Sequence, residues 1–494
     1  MPNTPAYSAL VGQYQRLYHF EHLAAIVGWD RNTMMPPGGH DARASAEAQL
    51  SAEMHALRTD PRVAEWLDAA ADEALDEEQQ ADLREMRRDW LDANALPAAH
   101  VQAISLASSR CEHGWRKQRP ANDWAGFLEN FRPLLAHVRT EAHLLAERTG
   151  LDPYDALLDR YEPGTRASDI DRLFADLKTW LPGLIDAACA RQQPAVVPVG
   201  PFSVAAQRAL SEAVLGIFGF DWNRGRLDVS AHPFTGGVSE DVRITTRYDT
   251  SDCLQALMAT IHECGHARYS QNLPAAWAGR PLGRARSYGI HESQSLFFEL
   301  QVARHPAFAR VLSPLLIEHL GDQPAFAPDN LARLLNRVER GKIRVAADEV
   351  TYPAHVILRY EIERALIDGT LAADDIPAAW DEKMMALLGV DTRGDVRNGC
   401  LQDVHWTKGA FGYFPCYTLG AMYAAQWAAA IRATYPSFDA CIAEGDLGAI
   451  FDWHHGHVWT QASRWETGEL AQRASGSVLD ARHLKAHLTE RYLT

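Results

Sequence analysis

The run His262-Glu263-Cys264-Gly265-His266 sets two imidazoles four residues apart with a carboxylate beside the first. On a helix, positions four apart share a face, so both rings can grip one zinc ion while Glu263 addresses a water that the ion acidifies. That is hydrolase chemistry. With 21 histidines in the chain, such a pattern also arises by chance, and context has to decide. A hydrolytic zinc needs a third protein ligand and an open coordination position. The short extension to a third histidine is absent, because position 269 is Tyr and position 272 is Asn. Further on, Gly289 precedes His291-Glu292-Ser293-Gln294-Ser295, which runs into Leu296, Phe297, Phe298 and Leu300. Adjacent helical positions diverge by about 100°, so only one of His291 and Glu292 is expected to bind. The two-helix pattern favours Glu292.

The elements carrying these residues are readable from periodicity. Leu254, Leu257, Met258, Ile261 and Cys264 recur at helical spacing, with Asp249 and Asp252 as N-terminal acids, which predicts a helix from Asp252 to about Tyr269. Cys264 falls off the two-histidine face and reads as a small buried apolar residue. Helical patterns also cover 6–27, 41–57, 61–93, 97–117, 122–150 and 167–192. Between Arg226 and Tyr248 the pattern changes to short alternating runs, Leu227-Asp228-Val229 and Val242-Arg243-Ile244-Thr245, separated by Gly236-Gly237. This predicts a small β-element immediately before the zinc helix, whose edge can bind an extended peptide. The expected fold class is all-α, with that one β-element as the exception.

Composition narrows the setting. The 494 residues contain no linker, low-complexity tract or repeat, so one domain is expected over 1–494, with a helical part at 1–200 and the catalytic part at 201–494. Met1 to Phe20 mixes polar and charged residues with apolar ones, unlike a secretory signal. The apolar stretch Leu419 to Ile431 is too short to span a bilayer. Seven cysteines without paired spacing suit a reducing cytoplasm, and a formal charge of -16 argues against nucleic acid or anionic membrane as a partner.

The ordered motifs carry a resemblance. H-E-x-x-H followed by His291-Glu292-Ser293-Gln294 resembles the carboxypeptidase Taq family of metallocarboxypeptidases. So do His232-Pro233-Phe234, the D-x-R-x-T run Asp241 to Thr245, Ile343 to Glu349, and the G-x-x-Q-D-x-H-W run Gly399 to Trp406. Trp29 to Pro36 and Tyr161-Glu162-Pro163-Gly164 also match, so the likeness spans nearly the whole chain. One departure lies at Trp459-Thr460-Gln461-Ala462, where the family tends to carry a His-x-His-Gly run. The resemblance implies a helical homodimer with a deep central groove, and a peptidase that removes single residues from the free C-termini of peptides. It also implies a substrate-facing role for the β-element, with His232 and Arg243 on it.

The chemistry assigns further roles. His262, His266 and Glu292 would hold zinc, with cobalt or manganese as alternatives, and Glu263 would act as the base. Oxyanion stabilisation falls to Tyr413 or His405, which spacing alone does not separate. Reading a terminal carboxylate calls for a guanidinium; the I-R-x-x-A-D match implies Arg344 in a helix-like run, with Arg243 and Arg247 as alternatives. Asp348 is expected to orient Arg344 or a zinc ligand. The cluster His454, His455 and His457 lacks a carboxylate framework and is not expected to hold a functional metal. Two rival readings remain: an oligopeptidase or dipeptidyl carboxypeptidase of the same chemistry, and a catalytically silent peptide-binding protein.

Overall fold

Twenty α-helices and one three-stranded sheet make up the computed structural model, which describes residues 4–494. The first eight helices are α1 (Pro5–Thr33), α2 (His40–Arg58), α3 (Pro61–Ala71), α4 (Glu77–Ala95), α5 (Ala98–Gln118), α6 (Trp124–Thr149), α7 (Pro153–Leu158) and α8 (Ala167–Arg191). The pattern over 61–93 thus resolves into two helices. Asp76 starts the second with a capping box: its carboxylate accepts from Gln79 N at 2.8 Å, and the Gln79 side chain accepts from Asp76 N at 3.0 Å.

After α9 (Val204–Ile217) comes the sheet, β1 (Gly225–Val229), β2 (Thr235–Val238) and β3 (Asp241–Thr246). Its order is β1-β3-β2, with β1 parallel and β2 antiparallel to β3, and Gly225 paired with Val242 and Thr235 with Ile244. Helix α10 (Cys253–Gln271) follows, capped by Asp252, whose carboxylate accepts from Leu254 N and Gln255 N. Then come α11 (Tyr288–Leu296), α12 (Ala309–Leu320), α13 (Pro328–Leu335), α14 (Tyr352–Asp368), α15 (Ile376–Leu388) and α16 (Pro415–Thr434). The chain closes with α17 (Phe438–Glu444), α18 (Gly448–His457), α19 (Thr467–Ser475) and α20 (Ala481–Leu493). No helix among the described residues is long and apolar enough to cross a membrane.

One continuous core, from Cys111 on α5 to Leu488 on α20, surrounds α10, α11, α14 and α16. A smaller core of Tyr7, Leu10, Tyr14, Leu17, Val63, Leu67, Ala70 and Met86 joins α1, α3 and α4. This N-terminal group grips the loop between α10 and α11. Asp82 accepts from Leu282 N at 2.9 Å, Arg284 bonds Asp89 and Glu21 at 2.9 and 2.8 Å, and Arg286 bonds Glu85 at 2.9 Å. On its other side α1 lies on the sheet: the Trp29 ring meets the guanidiniums of Arg226 and Arg243, at 4.6 and 4.5 Å.

Candidate metal centre

Two glycines bring the key helices together. A Cβ on Gly265 of α10 would stand 2.4 Å from the carbonyl oxygen of Gln294 and 2.5 Å from Ser295 Cα, so α10 and α11 touch backbone to backbone there. A Cβ on Gly420 of α16 would stand 2.7 Å from Glu292 Cγ, so α16 presses on the candidate ligand side chain itself. Glu162 fixes where α11 begins, accepting from Ser287 Oγ at 2.7 Å and from Gly289 N.

In this arrangement His262, His266 and Glu292 converge, with donor atoms all within 4.8 Å of one another. The Nε2 atoms lie 3.9 Å (His262) and 3.3 Å (His266) from the Glu292 carboxylate. Donors placed tetrahedrally about 2.0–2.1 Å from an ion stand roughly 3.3–3.5 Å apart, so the three fit one small divalent metal. Each ring's other nitrogen is already engaged. His262 Nδ1 meets Glu299 Oε2 at 3.0 Å, and His266 Nδ1 meets His291 Nδ1 at 2.6 Å. A His266 that presents a lone pair at Nε2 must carry its proton on Nδ1 and donate it to His291. Burial, with the nearby His266, lowers the His291 pKa to about 3, so His291 is neutral and able to accept. His291 therefore stands behind His266, a candidate ligand, and orients it.

Glu299 does the same for His262, and it reaches that position through an unusual turn. Residues Phe297–Ala303 continue α11 as a π-helix, closed by Arg304 N donating to Glu299 O at 2.9 Å. In an α-helix, residues five apart point to different sides; the wider π turn stacks them. Arg304 thereby holds Glu299 through Nη2 at 2.9 Å and Nε at 3.1 Å. Burial works against the Glu299 charge, but Arg304 and His262 outweigh it and hold the pKa at about 2. Burial likewise opposes charge on His262. The hydrogen bond to Glu299 and the fields of Glu292, Glu299 and Glu263 prevail, raising its pKa to about 9. The pocket is built to hold positive charge.

Glu263 lies at the same centre, buried, and its Oε2 accepts from Thr235 Oγ1 at 2.6 Å; the same hydroxyl reaches the Glu263 carbonyl at 3.0 Å. Thr235 is on β2, an edge of the sheet, so the β-element directly positions this carboxylate.

The run around Arg344 is not helical as read from its pattern but a single 3-10 turn, Arg344–Ala346. Asp348 is turned away from Arg344 and from the metal donors. Its oxygens accept from Val350 N, Thr351 N, Thr351 Oγ1 and Glu339 N, so it shapes the entry to α14. Arg344 is oriented instead by Asp403, at 3.0 Å from Nε and 2.8 Å from Nη2, and it donates to the Tyr352 hydroxyl. Asp403 also takes Arg359, fully buried, at 2.7 Å. Two guanidiniums against one carboxylate leave a net positive charge. Burial raises the Asp403 pKa, yet the two arginines push it far below the usual carboxylate range.

His405 Nε2 meets Tyr417 OH at 3.2 Å, and burial, aided by Arg344, lowers its pKa to about 4. Tyr413 packs edge-on against Tyr417, Tyr288 and Tyr161, and burial raises its pKa, with Tyr417 and Glu292 adding to the shift. Both side chains are uncharged at neutral pH. Arg243 is occupied by Asp241 at 2.9 and 2.7 Å besides its stacking on Trp29, and Arg247 is exposed. His232 is exposed between β1 and β2, where its carbonyl accepts from Ser230 Oγ at 2.6 Å. Among the described residues no hydrogen bond or ion pair joins His232 or Arg243 to the metal donors or to Arg344. His454 is buried against Phe297 and stacked on Trp459, and His457 bonds the Trp453 carbonyl. In the segment that departs from the family, Trp459 Nε1 donates to Gln294 Oε1 at 2.8 Å and so steadies α11.

Sequence reasoning missed Glu299, Thr235, Arg359, Tyr352 and the orienting role of Asp403. Only Glu299 left a signal, seven residues and two helical turns after Glu292.

The sequence matches the family described as carboxypeptidase Taq (M32) metallopeptidase across residues 9–492. It is 37% identical to thermostable carboxypeptidase 1 of Thermus thermophilus over 97% of this chain and 98% of that protein. To carboxypeptidase 1 of Bacillus subtilis it is 33% identical, over 97% and 96%. Among solved structures, Trypanosoma cruzi metallocarboxypeptidase 1 superposes with a TM-score of 0.97 at 42% identity, covering 100% of each chain. The M32 carboxypeptidase from Deinococcus radiodurans gives 0.94 at 35% identity, covering 99% of this chain and 100% of that one.

Proposed function

Since this chain belongs to the carboxypeptidase Taq family and is a metallocarboxypeptidase, we propose that His262, His266 and Glu292 hold its metal and that Arg344 reads the end of the peptide. The observation that carries the metal assignment is the convergence of two Nε2 atoms on the Glu292 carboxylate while both Nδ1 atoms are engaged behind them. Two nitrogens and an oxygen suit zinc, with cobalt or manganese also compatible. When bound, the metal supplies Lewis acidity, polarising the scissile carbonyl and acidifying water. Glu263, held by Thr235 through one oxygen, accepts a proton from the attacking water and delivers it to the leaving amine. Tyr413 keeps its hydroxyl proton and lies near Glu292, beside the metal donors, which favours it over His405 as the donor to the developing oxyanion. His405 is tied to Tyr417.

At the substrate's end, the buried Arg344–Asp403–Arg359 array offers net positive charge in a preset orientation, which suits a terminal carboxylate. Arg243 is neutralised by Asp241, so carboxylate recognition falls to Arg344. The edge strand β2, through Thr235, supports a substrate lying along the sheet. A cytoplasmic homodimer acting on short unstructured peptides completes the proposal; it rests on seven free cysteines and on the family resemblance.

The deciding experiment is mass spectrometry of one peptide presented as free acid and as C-terminal amide to the metal-loaded enzyme. A ladder losing one residue at a time from the acid alone is expected. Loss in two-residue steps would favour a dipeptidyl carboxypeptidase, and equal cleavage of the amide would remove end recognition.

A further inference from the structure

In a carboxypeptidase of this geometry, the departing residue must bridge the metal donors and the carboxylate reader, so whatever lines that span meets its side chain. Here the span is aromatic. Tyr352, the first residue of α14, accepts a hydrogen bond from Arg344, and Arg344 Cζ stands 4.8 Å over the ring of Tyr417. The Tyr352 and Tyr417 rings meet edge to face at 5.9 Å, and Tyr417 meets Tyr413 at 5.3 Å. Tyr413 in turn meets Tyr288 at 5.7 Å, and Tyr288 sits one turn before Glu292 on α11. Tyr352, Tyr413 and Tyr417 are each partly exposed, so the wall is accessible.

Its electrostatics point one way. The nearby carboxylates are committed: Asp403 to Arg344 and Arg359, Glu292 to the histidines. Glu363 lies behind the wall, accepting from Tyr154 OH, Trp406 Nε1 and Gly412 N. A cationic side chain on this wall would therefore find no free counter-ion among Asp403, Glu292 and Glu363. The rings offer it little either, because Arg344 already stands over the faces of Tyr417 and Tyr352. The net positive charge of Arg344 and Arg359 against the single Asp403 repels a second cation, while the exposed edges and faces of the rings take another aromatic ring.

We propose that Tyr352, Tyr413 and Tyr417 form the subsite for the departing C-terminal side chain and select phenylalanine and tyrosine over lysine and arginine. The proposal rests on the carboxypeptidase reading with Arg344 at the terminal carboxylate. Its test is kcat/KM of the metal-loaded enzyme on acetyl-Ala-Ala-Ala-X free acids, with X as Phe, Tyr, Ala or Lys, beside the Phe amide. Phe and Tyr should exceed Ala by on the order of 10-fold or more, the scale of apolar pocket discrimination, and Lys should fall below Ala. Tyr417→Ser and Tyr352→Leu should each shrink the Phe-to-Ala ratio severalfold, a comparison internal to each variant and insensitive to its yield of active protein. Equal rates across X, or Lys as the best substrate, overturns the subsite while leaving the end-reading chemistry intact. Cleavage of the Phe amide as fast as the acid overturns the carboxypeptidase reading, and the subsite with it.

Discussion

Replacing Gly420 with alanine should loosen the metal without touching any donor atom. The added Cβ would lie 2.7 Å from Glu292 Cγ and 2.8 Å from its Cβ. Carbon atoms rest about 3.5–4.0 Å apart, so Glu292 or α16 must give by roughly 0.8 Å. Metal sites tolerate only about ±0.2 Å in ligand distance, so a shift of that size spoils the approach of Glu292 to the point shared with His262 and His266. A loss of metal affinity on the order of 10- to 100-fold is expected, the scale seen when a ligand's support is removed. Stability should suffer less: overpacking costs about 1–3 kcal/mol, offset by roughly 1 kcal/mol from alanine's better helix propensity.

The assay is competitive titration of metal-free protein with zinc against a chromophoric chelator, with circular dichroism to confirm folding. Gly216→Ala on α9 is the control, since its Cβ meets nothing within 4 Å. It should leave affinity unchanged and raise stability by a few tenths of a kcal/mol to about 1 kcal/mol. A folded Gly420→Ala protein binding zinc within threefold of the parent would refute the idea that α16 sets the position of Glu292.

Glu292→Ala should abolish tight metal binding by elemental analysis, whereas His291→Ala should keep a substantial fraction; the reverse result would exchange their roles. Glu263→Gln should retain metal and peptide binding while turnover falls by about 10²- to 10⁴-fold, and near-normal turnover would remove Glu263 as the base. Glu299→Gln should weaken zinc by about 10- to 100-fold, measured by the same titration, because His262 loses its charged partner. Stripping the metal with chelator should lower the unfolding temperature; free metal at a hundred times Kd contributes about 2.7 kcal/mol, and in Glu292→Ala the shift should vanish.

The helix carrying the histidine pair was legible because its apolar spacing, acidic cap and the pair itself all pointed to one element, and α10 begins within one residue of the predicted start. The candidate third ligand was harder. His291 and Glu292 are both polar and adjacent; the two-helix pattern favours Glu292, and in the fold its carboxylate faces both Nε2 atoms while His291 meets His266 Nδ1. The β-element was visible in its alternation, yet Thr235 reaching Glu263 depends on how the sheet docks, which local pattern does not encode. Asp348 was misjudged for a related reason: four residues from Arg344 puts it on the same side only in a helix, and the chain makes one 3-10 turn there. Arg359 and Asp403 lie 44 residues apart and meet only through tertiary structure.

The π-helical turn after α11 has a consequence best put in terms of insertions and deletions. Such a turn is what an α-helix becomes when it absorbs one surplus residue. Deleting one residue between Leu300 and Ala303 would convert the segment to ordinary α-helix and still leave Glu299 and Arg304 able to pair, now at four-residue spacing. Phase downstream would be kept, because the wide turn already absorbs the residue that the deletion removes. Phe308 would keep its buried register with Phe297 and Phe298, whereas deleting a residue from the α-helical stretch 293–296 would turn Glu299 by about 100° relative to Glu292 and away from His262. The π turn is thus the stretch of this helix that can lose a residue without uncoupling Glu299 from His262 or the core from α11.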